Sequence, residues 1–202
     1  MNKIVIASIV TLLALLVYLF YFQKENPQDY ENQITIYRYE RAEFFRYSPE
    51  SPFLTQKVNF SYLDYYPANI KLKIDARFER RNFYDTVALA TSTGTIDTYK
   101  ILGTANFNFE GVSNSLLVLA SINPNEQSVF IPFLDKTSGE ATYGGGRYLN
   151  VNHPEGSAII LDFNKSYNPY CAYSEEYTCP FPPKENRLNI KIEAGEKSYQ
   201  GH

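Results

Sequence analysis

At 202 residues and 23.2 kDa the chain is long enough for one large domain with its own core, and it needs no metal to hold it together. A formal charge of -3, from 19 Lys and Arg against 22 Asp and Glu, leaves no net positive field for nucleic acid, and a 44% hydrophobic, 16% aromatic composition excludes a disordered tail. Two cysteines exclude both a disulfide-dense scaffold and a four-thiolate zinc site.

From Ile4 to Phe22 the sequence reads IVIASIVTLLALLVYLFYF without a charge. As a helix this run is about 28 Å long, close to the roughly 30 Å hydrocarbon core, so it predicts a membrane-spanning segment within residues 1–25. Tyr18, Phe20, Tyr21 and Phe22 stand where an interfacial aromatic belt belongs. One lysine flanks each side, Lys3 and Lys24, so the α-amino charge tips the orientation toward a cytoplasmic N-terminus with the remainder in the periplasm or cell exterior. A cleavable signal peptide is the competing reading, but YLFYFQKENP lacks the small residues of a cleavage site, and an uncleaved anchor is expected. No cysteine follows closely enough to carry a lipid.

Residues 26–52 read as a linker with a short helix. Asn26 to Asp29 form a polar spacer with one proline. Ile34, Tyr37, Arg38, Arg41, Ala42 and Phe45 then share one helical face, although ITIYRYE also alternates like a strand. Helix is preferred, because Glu31, Glu40, Arg41 and Glu43 favour it and Pro49 and Pro52 end it.

Residues 53–202 read as one β-rich domain. Period-two runs predict strands at Val58 to Leu63, Ile70 to Phe78, Thr86 to Thr91, Thr95 to Leu102, Ala105 to Glu110, Leu116 to Ser121, Val129 to Leu134, Ser157 to Phe163 and Leu188 to Glu193. In IKLKIDARF, Ile70, Leu72, Ile74, Ala76 and Phe78 point one way and the charged residues the other, the pattern of a half-buried antiparallel strand. Closely spaced turn signals, such as Gly94, Gly103, Gly111 and Ser138-Gly139, suit a single antiparallel β-barrel or a sandwich. The one long loop is Asn164 to Lys184.

Three segments, FIPFLDKTSGEATYGGGRYL (Phe130 to Leu149), LDFNKSYNPYCAYSEEYTCPFPPKENRL (Leu161 to Leu188) and IKIEAGEK (Ile190 to Lys197), resemble a bacterial and archaeal family known as domain of unknown function 1684. The resemblance runs from about Asp29 to Lys197. It implies shared motif positions but no activity, since none is established for the family.

Gly144, Gly145 and Gly146 permit positive φ and close backbone approach ahead of RYLNVNHP, which reads as a short strand. The string is not a phosphate loop, which needs Gly-x4-Gly-Lys-Ser/Thr opening a helix. It marks either a bulged strand start or a pocket mouth with Arg147 as a planar clamp for a carboxylate or phosphate. Asp135, Thr137, Glu140, Tyr143, Arg147, Asp162, Asn164, Tyr167, Glu185 and Asn186 form the candidate polar set around it if the C-terminal loop folds back. They would make an acid/base pair with an anion clamp, or a buried structural network in which Asp162 and Asn164 cap a turn. No calcium-loop spacing organises these carboxylates, and no metal or cofactor is expected.

Cys171 and Cys179 enclose a Tyr- and Pro-rich loop, and outside the cytoplasm a structural disulfide is expected, worth about 2.6 kcal/mol by loop entropy. Their spacing is wrong for a redox C-x-x-C, and the only histidines are His153, in the turn NHPEG, and His202. With no G-x-S-x-G either, nucleophilic triads are disfavoured. The sequence thus predicts a membrane-anchored extracytoplasmic β-domain that binds a small-molecule ligand or an envelope protein. The alternative is a hydrolase or transferase using Asp135, Asp162 or Glu185 with Arg147, and a structural partner of another envelope protein is a third reading.

Overall fold

The computed structural model describes residues 3–22, 25–55, 60–81, 85–120 and 128–200. Helix α1 (Lys3–Phe22) covers the uncharged run, and its described apolar side chains, Val10, Leu12 and Leu13 among them, are exposed. Among the described residues, however, no helix is long and apolar enough to cross a membrane. The spanning role expected of Ile4 to Phe22 therefore has no support here. Some of its side chains, including those of Leu16, Val17 and Leu19, lie outside the described residues.

Two residues fix the start of helix α2 (Pro27–Tyr47). Asn26, in extended backbone, accepts the Gln28 amide at 2.9 Å, and Pro27 occupies the first turn, where its missing N–H costs nothing. The expected spacer Asn26 to Asp29 is thus the cap and first turn of the helix. Tyr30, Ile34 and Phe45 are buried, with Tyr37, Arg38, Arg41 and Ala42 half-buried between them, so the expected face is the one that packs. The backbone turns extended at Ser48, before Pro49, and a single turn α3 (Pro52–Thr55) follows.

The strands are β1 (Lys73–Arg80), β2 (Thr86–Ala90), β3 (Ile96–Phe109), β4 (Val112–Ala120), β5 (Ser128–Phe133), β6 (Arg147–Asn152) and β7 (Ala158–Asp162). They form one antiparallel sheet in the order β6-β5-β4-β3-β1-β7, with β2 paired to the first part of β3. The sheet curls until β6 and β7 approach without a ladder, giving a nearly closed barrel. Inside lie Ile74, Ala76 and Phe78 of β1, Ala105 and Phe107 of β3, Leu116 and Val118 of β4, Ile131 and Phe133 of β5, Leu149 of β6, and Ile159 and Leu161 of β7. These are the inward positions of period-two strands, and their burial is the main driving force for the fold.

The expected strands need four corrections. The runs Thr95 to Leu102 and Ala105 to Glu110 are one strand, because Gly103 marks a register shift inside β3 rather than a turn. A Cβ at Gly103 would stand 2.5 Å from the Glu79 carbonyl and the Phe78 ring, so only glycine lets β1 come this close. Ile70 to Leu72 form a 3-10 turn capped by Asn69, and β1 begins after it. Residues 60–63 are not strand, while Val58 and Asn59 lie outside the described residues.

The fourth correction is at Leu188 to Glu193, which alternates as a strand does and yet joins no ladder. Leu188, Ile192 and Ala194 point into the barrel core. Much of its backbone, though, is satisfied by side chains: the Asp135 carboxylate accepts the Ile192 amide at 2.7 Å, and the Arg147 guanidinium donates to the Ile192 and Ala194 carbonyls. Period two reports alternate burial, and here the backbone is shared between Leu134 and Lys136, which bond Leu188 and Ile190, and the buried ion pair at Ile192.

Candidate functional site

The signature string from Asp135 to Arg147 builds a buried network. Thr137 donates its hydroxyl to Asp135 and exchanges a 2.9 Å hydrogen bond with Thr142, while the Ser138 hydroxyl also donates to Asp135. Arg147, the first residue of β6, has 0% exposure, donates to Asp135 at 3.3 Å and holds the carbonyls of Ile192, Ala194 and Glu196. Its guanidinium also lies over the Phe133 ring. Burial pulls the Arg147 pKa down, and Asp135 beside it opposes that shift. Gly146, at φ +91°, makes the turn into this position, and a Cβ there would meet the Phe133 carbonyl and Pro182 at 2.7 Å. Arg147 is therefore not a clamp at a pocket mouth. It ties the C-terminal tail across the barrel.

The remaining candidates lie elsewhere. Asn186 is buried, accepts the Leu117 amide at 2.6 Å and donates to the carbonyls of Leu117 and Pro132, stitching the tail to β4 and β5. Tyr167 exchanges backbone hydrogen bonds with Tyr148 and lies under Arg41. Tyr143 donates its hydroxyl to the Cys171 sulfur at 3.8 Å. Glu185 is exposed, and Glu140 forms an exposed ion pair with Lys191 at 3.8 Å. Gly144 and Gly145 form the turn ahead of Gly146. Asp162 accepts the Tyr30 hydroxyl at 2.6 Å and the Asn164 amide, and Asn164 bonds Asn69 in both directions. Asp135 and Arg147 thus meet each other, but Asp162 and Glu185 do not join them.

Cys171 and Cys179 are free thiols in this structure, so the expected disulfide is not formed. The two are nonetheless close, with the Cys171 amide 3.2 Å from the Cys179 sulfur. A hydrogen bond from Cys179, opposed by burial and helped by Tyr143, draws the Cys171 thiol down to about 7, and the same bond pushes Cys179 up. The loop is pinned to the turn after β2: Ser92 donates to the Cys179 carbonyl and accepts the Cys179 amide, and Phe181 donates to Ala90.

A second buried network went unsingled in the sequence. Glu196 accepts from Arg41 of α2, the Tyr173 hydroxyl and the Asn168 amide. Burial opposes the charge of Arg41, but Glu196 and the surrounding tyrosines hold its pKa above the ordinary value. Beside it Phe45, Phe53, Tyr173, Tyr170 and Tyr199 pack as an aromatic cluster joining α2, α3 and the loop. The aromatic loop is therefore largely an internal surface.

A concave feature lies at the seam where β6 and β7 fail to pair. It is a groove of about 360 Å³ open to solvent. Its polar lining includes Lys73, His153, Glu155, Asp162 and Lys165, and Val151, Ile159 and Ile160 give it an apolar wall. Of the candidate residues only Asp162 reaches it. Lys73 and Lys165 carried no motif signal, since the groove exists only once two strands from opposite ends of the sheet order come together. Among the described residues no group of three His, Cys, Asp or Glu side chains is placed to hold a metal.

Fold and site together define a nearly closed antiparallel barrel, sealed by a buried ion pair and open to solvent at one seam. The family model described as Protein of unknown function (DUF1684) matches residues 58–197, and the chain belongs to that family. It is similar to the solution NMR structure of the uncharacterized protein from gene locus rrnAC0354 of Haloarcula marismortui. The two share 31% identity and a TM-score of 0.66, over 87% of this chain and 97% of that one. No curated protein matches the chain.

Proposed function

We propose that the protein is a ligand-binding module tethered to a membrane by α1, with the seam groove as its binding site. The observation that carries this reading is the groove itself: about 360 Å³, with charged groups of both signs set against an apolar wall. The buried Asp135–Arg147 pair, held by the backbone of the tail, supports binding over the hydrolase or transferase alternative, since neither group is open to a substrate. Tethering is supported by the uncharged sequence run Ile4 to Phe22, which lies within the 20-residue helix α1 (Lys3–Phe22), whose described apolar side chains are exposed. An orientation with the barrel outside the cytoplasm would place Cys171 and Cys179 in an oxidising milieu, and their closeness fits closure to a disulfide there.

Substitution of Ala158, exposed on the groove wall, by Trp fills the site without entering the core. Native mass spectrometry of the full chain released from membranes is expected to find a small-molecule adduct on the wild type and none on Ala158→Trp. An adduct retained by Ala158→Trp, or a wild-type chain recovered without one, overturns the groove as the binding site. A full chain found in the soluble fraction after lysis overturns the tether.

A further inference from the structure

Two ammonium groups line the seam groove, and their surroundings differ in a way that points to a ligand. Lys73 and Asp162 are direct cross-strand partners between β1 and β7, yet they form no ion pair. The Asp162 carboxylate is turned to the Tyr30 hydroxyl at 2.6 Å and to Asn164. Lys73 instead pairs with Glu25, which lies three residues beyond the end of α1 and belongs to no strand. The Lys73 and Glu25 side chains are 28% and 29% exposed, so the pair sits in a medium less screening than bulk water. Lys165, half-buried, lies over the Tyr37 ring and has no carboxylate partner among the described residues.

The groove thus holds one cation without a counterion and a second neutralised by a carboxylate from outside the barrel. The apolar wall is of the same kind: Ile160 stays 51% exposed beside the groove instead of being covered. Glu155, exposed on the rim, disfavours a second acidic group.

Taking the seam groove as the binding site, we infer that its ligand is an amphiphile with a single acidic group, phosphate or carboxylate. That group pairs with Lys73 and Lys165, its apolar body lies against Val151 and Ile160, and Glu25 occupies the acid's place on Lys73 until it arrives. Binding then displaces Glu25. Two sources carry this chemistry: a lipid headgroup and a soluble acid. The first is within reach, because the three residues from Phe22 to Glu25 span about 10 Å at most.

The test uses the full chain in neutral maltoside micelles, titrated with n-butyl phosphate while the side-chain resonances of Lys73 and Lys165 are followed by NMR. A saturable shift of both lysines is expected. Lys73→Gln and Lys165→Gln are each expected to weaken binding roughly tenfold, the loss of one charge-assisted hydrogen bond. Glu25→Gln is expected to tighten it about threefold, by removing a competitor whose ion pair is worth a fraction of a kcal/mol. If lipid is the source, bilayer discs containing phosphatidate shift both lysines before any probe is added, whereas phosphatidylcholine discs do not. If the source is soluble, butyl phosphate binds alike in both discs. Affinity unchanged in all three variants overturns the inference. Binding of n-butanol as tight as that of butyl phosphate overturns the acidic group while leaving the groove as a binding site, and binding of neither probe removes both.

Discussion

Arg147 and Asp135 face each other with neither side chain exposed, and each is held by the backbone of the C-terminal tail as well. Removing one partner leaves the other buried without its counterion, which costs about 3–5 kcal/mol. Asp135→Asn is therefore expected to lower the stability of the chain by that amount in denaturant unfolding. Cys171 offers a pH-dependent readout. Its thiol is drawn down from 9.0 to about 7, first by the hydrogen bond from Cys179, so the folded state favours the thiolate. With the folded value depressed, the associated stability is present above the unfolded pKa and is lost as pH falls through about 7. In the reduced protein, alkylation of Cys171 by iodoacetamide is expected to be half-maximal near pH 7, with Cys179, pushed up and buried, unlabelled over that range. A Cys171 rate that rises only near pH 9 would contradict the hydrogen bonding that draws its thiol down. The sequence placed Asp135 and Arg147 in one set because a single glycine-rich string carries both. It could not place Glu196 or Arg41, 155 positions apart, since only the docking of α2 brings them together.

At the level of elements, the barrel depends on how strands enter and leave their turns. Gly146, at φ +91°, has the Phe133 carbonyl and Pro182 within 2.7 Å of where a Cβ would stand. Gly146→Ala is expected to cost about 1–3 kcal/mol through backbone strain and to loosen β6 first, seen as faster amide exchange at Tyr148 and Leu149. Periodicity served well wherever a segment buries one side against a partner strand: β2, β4, β5 and β7 fall within a few residues of their expected places. It failed at Leu188 to Glu193 because the alternation there reports a core side and a solvent side, while the backbone is bonded by Asp135, Arg147 and the chain at Leu134 and Lys136 rather than by a ladder. Helix α2 was legible from its face of Ile34, Tyr37, Arg38, Arg41 and Phe45, and its start was hidden because Asn26-Pro27 reads equally as linker and as cap.

Across the whole molecule, the glycine-rich signature string and the groove are separate things, and of the family segments only Asp162 and Lys165 reach the groove. The signature string and the tail close the barrel, while the groove follows from topology: β6 and β7 stand at opposite ends of the strand order and approach without pairing. No local pattern encodes such a seam, which is why Lys73 and Lys165 went unmarked while Asp135 and Arg147 were singled out. The measurement that tests this division most directly is equilibrium unfolding of Arg147→Met and Ala158→Trp in the full chain, with the bound adduct weighed at a temperature where both are folded. The account predicts that Arg147→Met loses about 3–5 kcal/mol and keeps the adduct, and that Ala158→Trp stays within about 0.5 kcal/mol of the wild type and loses it. An Arg147→Met chain as stable as the wild type but without the adduct would make the signature a binding centre and contradict the account.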